Sequence, residues 1–264
     1  MGNDDRLFDE IKQVLIQSIR AKLQNYKPEP NAMPFHTRLL GKDRLALYSF
    51  IHSLNTNFGT SMFEPISAIL GKSRFMASES QRVAGTQISS EAHRVIQRIM
   101  DDLATASREP DKTREIEEIR LVCQKGVMRK VKPTKVDLKL TSHSGEIFLF
   151  DIKTAKPNAG GFKEFKRTLL EWIAATLAVN PECKVHSMIA IPYNPYAPEK
   201  YKRWTMRGMI DLHQEVMVAE EYWDFLGGSG SYEKLLEIFE IVGIELRSEI
   251  DNYFAKFRGT SYTS

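Results

Sequence analysis

The sequence predicts an α/β (α+β) protein with a central mixed β-sheet flanked by helices and with a helical N-terminal region. A β-hairpin pattern over Val136–Lys153 is followed by a helical pattern over Phe162–Val179 and by an apolar strand over Lys184–Tyr193. Helix-spaced apolar residues also recur in the part that precedes the hairpin, about residues 1–108. The order of hairpin, helix and strand is typical of a mixed sheet covered by helices.

Composition is that of an ordinary soluble protein with a substantial core. The 264 residues are 42% hydrophobic and 27% charged, and the net charge of +3 permits nucleic-acid binding without demonstrating it. Cys123 and Cys183 form neither a CxxC pair nor a Cys/His ligand set, so we expect no disulfide framework and no zinc site. There is no secretory pattern and no apolar run of membrane-spanning length. We therefore expect a reduced, cytoplasmic protein without a membrane partner.

Helical spacing of apolar residues predicts most of the elements outside the hairpin. Ile88–Ala106 is a strong helix, since Ser89 or Ser90 can cap it and Glu91 falls in its first turn. The charged segment Glu109–Arg120 contains a proline and is interpreted as a surface loop or linker. The other expected elements are helices over Leu7–Leu23, Arg44–Leu54, Met62–Leu70 and Tyr232–Phe257 (interrupted near Gly243), a short strand over Glu215–Glu220 and a packed turn at Trp223–Phe225.

The two strands of the hairpin, Val136–Thr141 and Glu146–Lys153, are rich in β-branched and aromatic residues and are bounded by turn formers. Their connection is predicted to be a three-residue loop, His143–Gly145, with Gly145 in the left-handed conformation. This loop sets the register of the strands. The opposed apolar pairs are then Leu140 with Phe148, Leu138 with Phe150, and Val136 with Ile152, all on one face.

The same register brings two acidic residues together on the other face. Asp137 lies directly opposite Asp151, with about 5 Å between the Cβ atoms of such a pair. The two-residue period of a strand puts Lys153 on the face of Asp151. A two-residue loop would instead place the aspartates on opposite faces, so the prediction depends on the turn.

Two opposed carboxylates at the end of a buried hairpin repel each other unless a positive charge neutralises them. A hard divalent cation does so, and Mg²⁺ is usually held by one or two carboxylates together with waters and substrate phosphate. The ammonium of Lys153 would orient or activate a metal-bound water. Together, the carboxylates, the metal and the lysine would supply the groups for metal-assisted hydrolysis of a phosphodiester. The alternative is a solvated hairpin with a salt bridge, because the D…DxK pattern also occurs by chance.

The arrangement of Val136-Asp137, a spacer and Asp151-Ile152-Lys153 resembles the PD-(D/E)XK nuclease superfamily, the fold of most type II restriction endonucleases. Val136 stands where the family pattern has proline. The similarity extends over most of the chain, in the order of helical region, acidic helix, hairpin, basic helix, strand and aromatic-basic loop. A narrower resemblance, to the TdeIII-type family and its short GG/CC-type palindrome, is carried by His36–Leu40, Leu47–Phe50 and Asp151–Asn158.

This resemblance implies a restriction-endonuclease-like core and specific roles at the hairpin. Asp137 and Asp151 would ligate Mg²⁺, the backbone carbonyl of Ile152 would add a ligand, and Lys153 would position the nucleophilic water. A helix before the hairpin often supplies a further acidic residue in such nucleases, which makes Glu91 a catalytic candidate. The alternative for Glu91 is a favourable interaction with the dipole of its own helix, which requires no function.

Basic residues on both sides of the hairpin are candidates for contact with DNA. The run within Cys123–Lys135 would hold a phosphate backbone or form a solvated face, and the helix that begins near Phe162 can direct its N-terminal amides at phosphate. Asn194–Arg207 interleaves basic and aromatic residues, which suits groove contacts, although a surface loop pinned by Trp204 explains the pattern as well. The predicted DNA-binding residues are Lys156, Asn158, Lys163, Lys202, Arg203 and Arg207.

These features together predict a sequence-specific type II restriction endonuclease that cleaves double-stranded DNA with Mg²⁺. A palindromic target implies a homodimer, because the symmetry of the site mirrors that of the protein. We expect one nuclease domain over 1–264, with a helical N-terminal part (about 1–108), a catalytic core (about 121–226) and a C-terminal helical part (about 231–259). The alternatives are a structure-selective or repair nuclease of the same fold and a catalytically silent DNA-binding module.

Overall fold

The computed structural model describes residues 3–27, 33–131, 135–153, 161–202, 206 and 208–256. The chain divides into two compact units, Ser67–Tyr232 and, separately, Met1–Ile66 together with Glu233–Ser264. The unit Ser67–Tyr232 contains the sheet and the hairpin. The single nuclease domain expected from the sequence stays a prediction.

The strands of the described residues are β1 (Ala77–Val83), β2 (Gln87–Ser89), β3 (Met128–Lys130), β4 (Lys135–Thr141), β5 (Ile147–Ile152), β6 (Val185–Ile191) and β7 (Val216–Val218). Five of them form one sheet in the order β1-β4-β5-β6-β7, and β2 pairs with β3. β1, β4 and β5 are antiparallel, whereas β6 runs parallel to both β5 and β7. The predicted mixed sheet flanked by helices is therefore confirmed.

The helices of the described residues agree with the predicted ones to within a few residues in most cases. Ser89 caps the helix that carries Glu91, since its hydroxyl oxygen accepts a hydrogen bond from the amide of Ala92 at 3.0 Å. The C-terminal helical stretch breaks at Leu246 instead of near Gly243. In chain order the helices are α1 (Asn3–Asn25), α2 (Pro34–Leu40), α3 (Lys42–Asn57), a π-helical segment (Phe58–Phe63), α4 (Glu64–Gly71), α5 (Ser90–Ala104), α6 (Lys112–Arg120), α7 (Phe162–Val179), α8 (Glu220–Gly227), α9 (Ser231–Glu245) and α10 (Arg247–Ala255).

Both faces of the sheet are covered. On one face, α5 and α7 pack together, and Leu169 and Ile173 of α7 share a buried apolar cluster with Leu149 of β5 and Ile189 of β6. The other face is aromatic, because Phe150 packs against Tyr222 and Phe225, at ring-centroid distances of 5.3 and 5.9 Å. Tyr222 and Phe225 belong to α8, so the packed turn predicted at Trp223–Phe225 was wrong. The short helix forms because its apolar side chains have a sheet to pack against.

The prediction of a loop over Glu109–Arg120 was also wrong, because most of this segment is α6. Asp111 caps the helix by accepting a hydrogen bond from the amide of Arg114 at 3.0 Å. The two charged residues Lys112 and Glu115 are buried on the inner face of α6. The sequence pattern missed this helix because its buried face includes charged side chains, which break the apolar periodicity.

The unit made of Met1–Ile66 and Glu233–Ser264 is helical. Phe50 of α3 lies in an aromatic cluster, with its ring 5.6 Å from that of Tyr26, 5.7 Å from Tyr253 and 5.2 Å from Phe254. By contrast, α2 and α3 leave several large apolar side chains exposed. These are Phe35, Leu39, Leu40, Leu47, Tyr48 and Ile51. Within the described ranges, no helix is long and apolar enough to cross a membrane.

Candidate active site

The hairpin forms with the register that the sequence predicts. Leu138 of β4 pairs with Phe150 of β5, and Leu140 pairs with Phe148. The loop residue Gly145 has a φ of +85°, a backbone conformation that glycine adopts without strain. The amide of Ser142 donates a hydrogen bond to the carbonyl oxygen of Glu146 at 2.9 Å and closes the strands next to the loop. The three-residue connection is therefore confirmed.

The register brings Asp137 opposite Asp151 when the observed pairs are continued by one residue. A hydrogen bond supports this placement, since the amide of Ile152 donates to Oδ2 of Asp137 at 2.8 Å. Asp151 is only 7% exposed. The two carboxylates therefore lie on the same face of the hairpin, near the end of β5, with Asp151 buried and Asp137 partly exposed.

Lys153 follows β5 directly and lies against Asp151. Its Nζ is 2.6 Å from Oδ1 of Asp151 and 4.9 Å from the centre of the Phe165 ring. Its amide donates to the carbonyl oxygen of Ala190 at 2.9 Å, which continues the parallel pairing with β6 by one residue. The ammonium group is thus held between a carboxylate and the face of an aromatic ring.

Helix α7, which supplies Phe165, is anchored by buried ion pairs. Nζ of Lys166 lies 2.6 Å from Oε2 of Glu115 and 2.7 Å from Oε2 of Glu215. Nζ of Lys112 lies 2.7 Å from the other oxygen of Glu215. Lys166 is fully buried. Its burial is tolerated because two lysines and two glutamates compensate one another's charge.

Burial and charge act in opposite directions on these groups. Burial lowers the pKa of Lys112 and raises the pKa of Glu115. Burial also acts to raise the pKa of Glu215, but the charges of Lys112 and Lys166 outweigh it and hold that pKa below its ordinary value. These four side chains therefore form a compact cluster of opposite charges around Lys166 of α7, the helix whose Phe165 contacts Lys153.

One neighbour of the aspartates was not found from the sequence. β1 pairs with β4 and brings Gln81 to Asp137, with Nε2 of Gln81 3.4 Å from Oδ1 of the carboxylate. The sequence of β1, ASESQRV, has neither apolar alternation nor β-branched enrichment, so nothing in it indicated a strand. Edge strands carry such polar sequences because one side of them faces solvent.

A family model of type II restriction endonucleases, HinfI, matches residues 3–243 of this chain. The chain belongs to the HinfI family of type II restriction endonucleases. Curated relatives include the type II restriction enzymes HgiCII and HgiEI of Herpetosiphon aurantiacus. HgiCII is 25% identical over 82% of this chain and 80% of its own, and HgiEI is 24% identical over 89% and 85%. MjaII of Methanocaldococcus jannaschii is 28% identical over 75% of this chain and 55% of its own length.

This restriction endonuclease is therefore a site-specific enzyme whose substrate is DNA, as the sequence predicted. The match with the HinfI family covers the whole of the unit that contains the hairpin. The narrower TdeIII-type resemblance was not confirmed.

Glu91 lies in the first turn of α5, as predicted from the sequence. Its observed partner is Arg94, whose guanidinium nitrogen lies 2.7 Å from Oε1 of Glu91. Among the described residues, no three histidine, cysteine or acidic side chains come together in a way that could hold a metal ion. The structure therefore does not gather Glu91 with Asp137 and Asp151. A catalytic role for Glu91 stays a prediction.

The predicted DNA-binding residues fall into two groups. Lys163 is exposed in the first turn of α7, and Lys202 is exposed with its Nζ 3.1 Å from Oε2 of Glu199. The other four lie outside the described residues. They are Lys156, Asn158, Arg203 and Arg207.

Proposed function

We propose that this restriction endonuclease hydrolyses phosphodiester bonds of double-stranded DNA at a short palindromic site, with Mg²⁺ as its metal and with Asp137, Asp151 and Lys153 as its active centre. The proposal is carried by one observation. The two carboxylates share a face of the hairpin, and Nζ of Lys153 lies 2.6 Å from Oδ1 of Asp151. Carboxylates that can hold a metal ion, with an ammonium group beside them, are groups that metal-assisted phosphodiester hydrolysis can use.

The donor set fits Mg²⁺. Carboxylate and carbonyl oxygens are the ligands this hard cation prefers, and Asp137, Asp151 and the backbone carbonyl of Ile152 would supply them. Each carboxylate oxygen carries two lone pairs, so the hydrogen bond from the amide of Ile152 leaves Asp137 able to accept further partners. When bound, the metal would acidify a water molecule and offset charge that develops on the phosphate.

Side chains of the protein would carry out the remaining steps. Lys153 is a hydrogen-bond donor at Nζ, and its position between Asp151 and Phe165 fixes where that donor points. From there it would orient the attacking water and stabilise negative charge on the scissile phosphate. Water attack in line with the leaving oxygen would give a 5′-phosphate and a 3′-hydroxyl. Glu91 would assist as a further acidic residue.

Contacts to DNA would lie on both sides of this centre. The N-terminal amides of α7, with Lys163 beside them, are suited to a phosphate group. Lys202, Arg203 and Arg207 would contact a groove, where arginine can bind guanine with two hydrogen bonds. Lys156 and Asn158, just after the active-site strand, would contact the backbone near the cleaved bond.

The enzyme would act as a homodimer, since a palindromic site calls for a two-fold axis. The exposed apolar side chains of α2 and α3 support this part of the proposal. Phe35 and Leu39 lie one helical turn apart and are 83% and 82% exposed, and Tyr48 and Ile51 lie at helical spacing on α3. Exposed apolar side chains that recur on one side of a helix are typical of interaction surfaces.

The experiment is cleavage of plasmid DNA by the wild type, by Asp151→Asn and by Asp101→Asn, a matched change at an exposed aspartate of α5. We expect discrete fragments from the wild type and from Asp101→Asn with Mg²⁺, and no fragments with EDTA or from a folded Asp151→Asn. Cutting at branches or ends without a common sequence would favour a structure-selective nuclease. Cutting by Asp151→Asn at the wild-type rate would overturn the proposed site.

A further inference from the structure

Gln81 lies directly opposite Asp137 on the neighbouring strand. The pairs Ser80 with Leu138 and Arg82 with Val136 flank this position, so the register of β1 and β4 assigns Gln81 to Asp137. Residues opposed in this way have Cβ atoms about 5 Å apart, close enough for their side chains to interact. The contact exists, since Nε2 of Gln81 is 3.4 Å from Oδ1 of Asp137.

The carboxylate of Asp137 is thereby approached from both neighbouring strands. The amide of Ile152 on β5 donates to Oδ2 at 2.8 Å, and the side-chain amide of Gln81 on β1 lies at Oδ1. Donors on both oxygens restrict rotation of the carboxylate about its bond to Cβ. The orientation of the carboxylate is thereby restricted in the absence of metal and DNA.

The backbone of Gln81 adopts a conformation that its side chain does not favour. Its φ is +55°, in the left-handed region that glycine, asparagine and aspartate populate more readily than other residues. The flanking pairs keep one residue on each strand, so Gln81 is not the extra residue of a β-bulge. If the strand needed only this backbone conformation, glycine would supply it with less strain. A strained glutamine facing an active-site carboxylate therefore indicates a role for its side chain.

We propose that Gln81 is a positioning residue of the nuclease centre, which orients the carboxylate of Asp137 through its side-chain amide. The inference rests on the proposed function of Asp137. Removal of an outer partner of a metal-ligating group typically lowers metal affinity or activity by about 10- to 100-fold. A loss in that range is expected when the amide of Gln81 is removed.

The test separates the side chain from the strain. Gln81→Gly removes both, and Gln81→Ala removes the amide but keeps a side chain at positive φ. Ala106→Gly is the matched control, because Ala106 has a φ of +54° in an exposed position after α5 and takes no part in the site. Each variant is measured in three ways: urea unfolding, single-turnover cleavage of a DNA fragment that the wild type cuts, and Mn²⁺ affinity of the metal-free protein by electron paramagnetic resonance.

Gln81→Gly is expected to raise the urea midpoint, as Ala106→Gly does, and to lower the cleavage rate and the Mn²⁺ affinity by about tenfold or more. Gln81→Ala should lose activity to a similar extent without the gain in stability. A purely structural role would move stability and activity in the same direction. Cleavage and Mn²⁺ binding at wild-type levels in Gln81→Gly would overturn the inference, and so would its failure to fold.

Asp137→Asn separates this inference from the proposed function on which it rests. If Asp137→Asn cuts DNA as the wild type does, the proposed active site itself is wrong. If Asp137→Asn is inactive while Gln81→Gly keeps full activity, the active site stands and only the role of Gln81 fails.

Discussion

The ammonium nitrogen of Lys153 lies 2.6 Å from Oδ1 of Asp151, and on its other side it faces the ring of Phe165 at 4.9 Å from the ring centre. The carboxylate belongs to Asp151, near the end of β5, and the ring belongs to α7, the helix that follows. The lysine is therefore held by side chains of two different elements, β5 and α7. Its position is a property of the fold as well as of the D…DxK spacing.

Lys153→Met is expected to reduce single-turnover cleavage by about 10²–10³-fold, because it removes a preorganised charge from the reacting centre. Some loss of stability is expected as well, because the change leaves the buried carboxylate of Asp151 without its ammonium partner. Rates and urea unfolding curves for the variant and the wild type check both statements. Lys184→Met, which removes an exposed lysine paired with Glu146, is the control and should cut normally. Equal rates for the two variants would contradict a role for Lys153.

Phe165→Leu is expected to lower the cleavage rate by about 2- to 30-fold, which corresponds to the loss of about 0.5–2 kcal/mol of cation–π attraction. Phe165→Tyr keeps the ring face and should retain most of the activity. The comparison is made at equal protein stability, verified by urea unfolding, because both changes lie beside the buried residues of α7. If leucine served as well as tyrosine, the ring would be only a packing group.

Lys166→Met is expected to destabilise the protein by about 3–5 kcal/mol. It leaves two buried glutamates, Glu115 and Glu215, with only Lys112 to compensate their charge. The double change Lys166→Met with Glu115→Leu should recover much of this loss, since the remaining Lys112 and Glu215 form a balanced pair. Lys163→Met, on the same helix but exposed, should stay within about 0.5 kcal/mol of the wild type. The free energy of unfolding in urea measures all three.

The buried charges also predict a pH dependence with a definite sign. Burial raises the pKa of Glu115 above its ordinary 4.5, so its contribution to stability is present below pH 4.5 and is lost as the pH rises through the raised value. The free energy of unfolding of the wild type minus that of Glu115→Gln should therefore fall as the pH rises from 4.5 through the raised pKa.

Glu118, on the same helix, serves as a control because its pKa is shifted in the opposite direction. Its burial acts to raise the pKa, but hydrogen bonds and charge from Arg108 and Arg98 outweigh it and hold the pKa below 4.5. For Glu118→Gln the same difference should rise as the pH increases toward 4.5 and then stay level. Parallel curves for the two variants would contradict the opposite environments of these glutamates.

Leu39→Glu is expected to convert the proposed homodimer into monomers, because it puts a charge among the exposed apolar side chains of α2. Sedimentation velocity gives the mass of each species, and cleavage of a single-site DNA should fall with dissociation. Val179→Glu places the same charge on another side chain that is 80% exposed and should leave the mass unchanged. A dimer that survives Leu39→Glu would move the interface elsewhere.

The hairpin shows how much of the site was predictable from sequence. A strand has a period of two, and a loop closed by Gly145 sets the register, so local residues alone brought Asp137 opposite Asp151. The D…DxK spacing places Lys153 two residues after Asp151, and therefore on the same face of the strand. Each of these inferences involves neighbours within one hairpin, where chain connectivity restricts the geometry.

Gln81 and Lys166 show what only the tertiary structure decided. Gln81 reaches Asp137 because a polar edge strand with no sequence signature pairs with β4. Lys166 is buried because Glu115 and Glu215, from two distant segments, meet it in the interior. A local pattern registers polarity and spacing, whereas the burial of a charge depends on partners that the chain brings together only on folding. The sequence therefore determined the geometry of the hairpin, and the tertiary packing determined which side chains surround and support it.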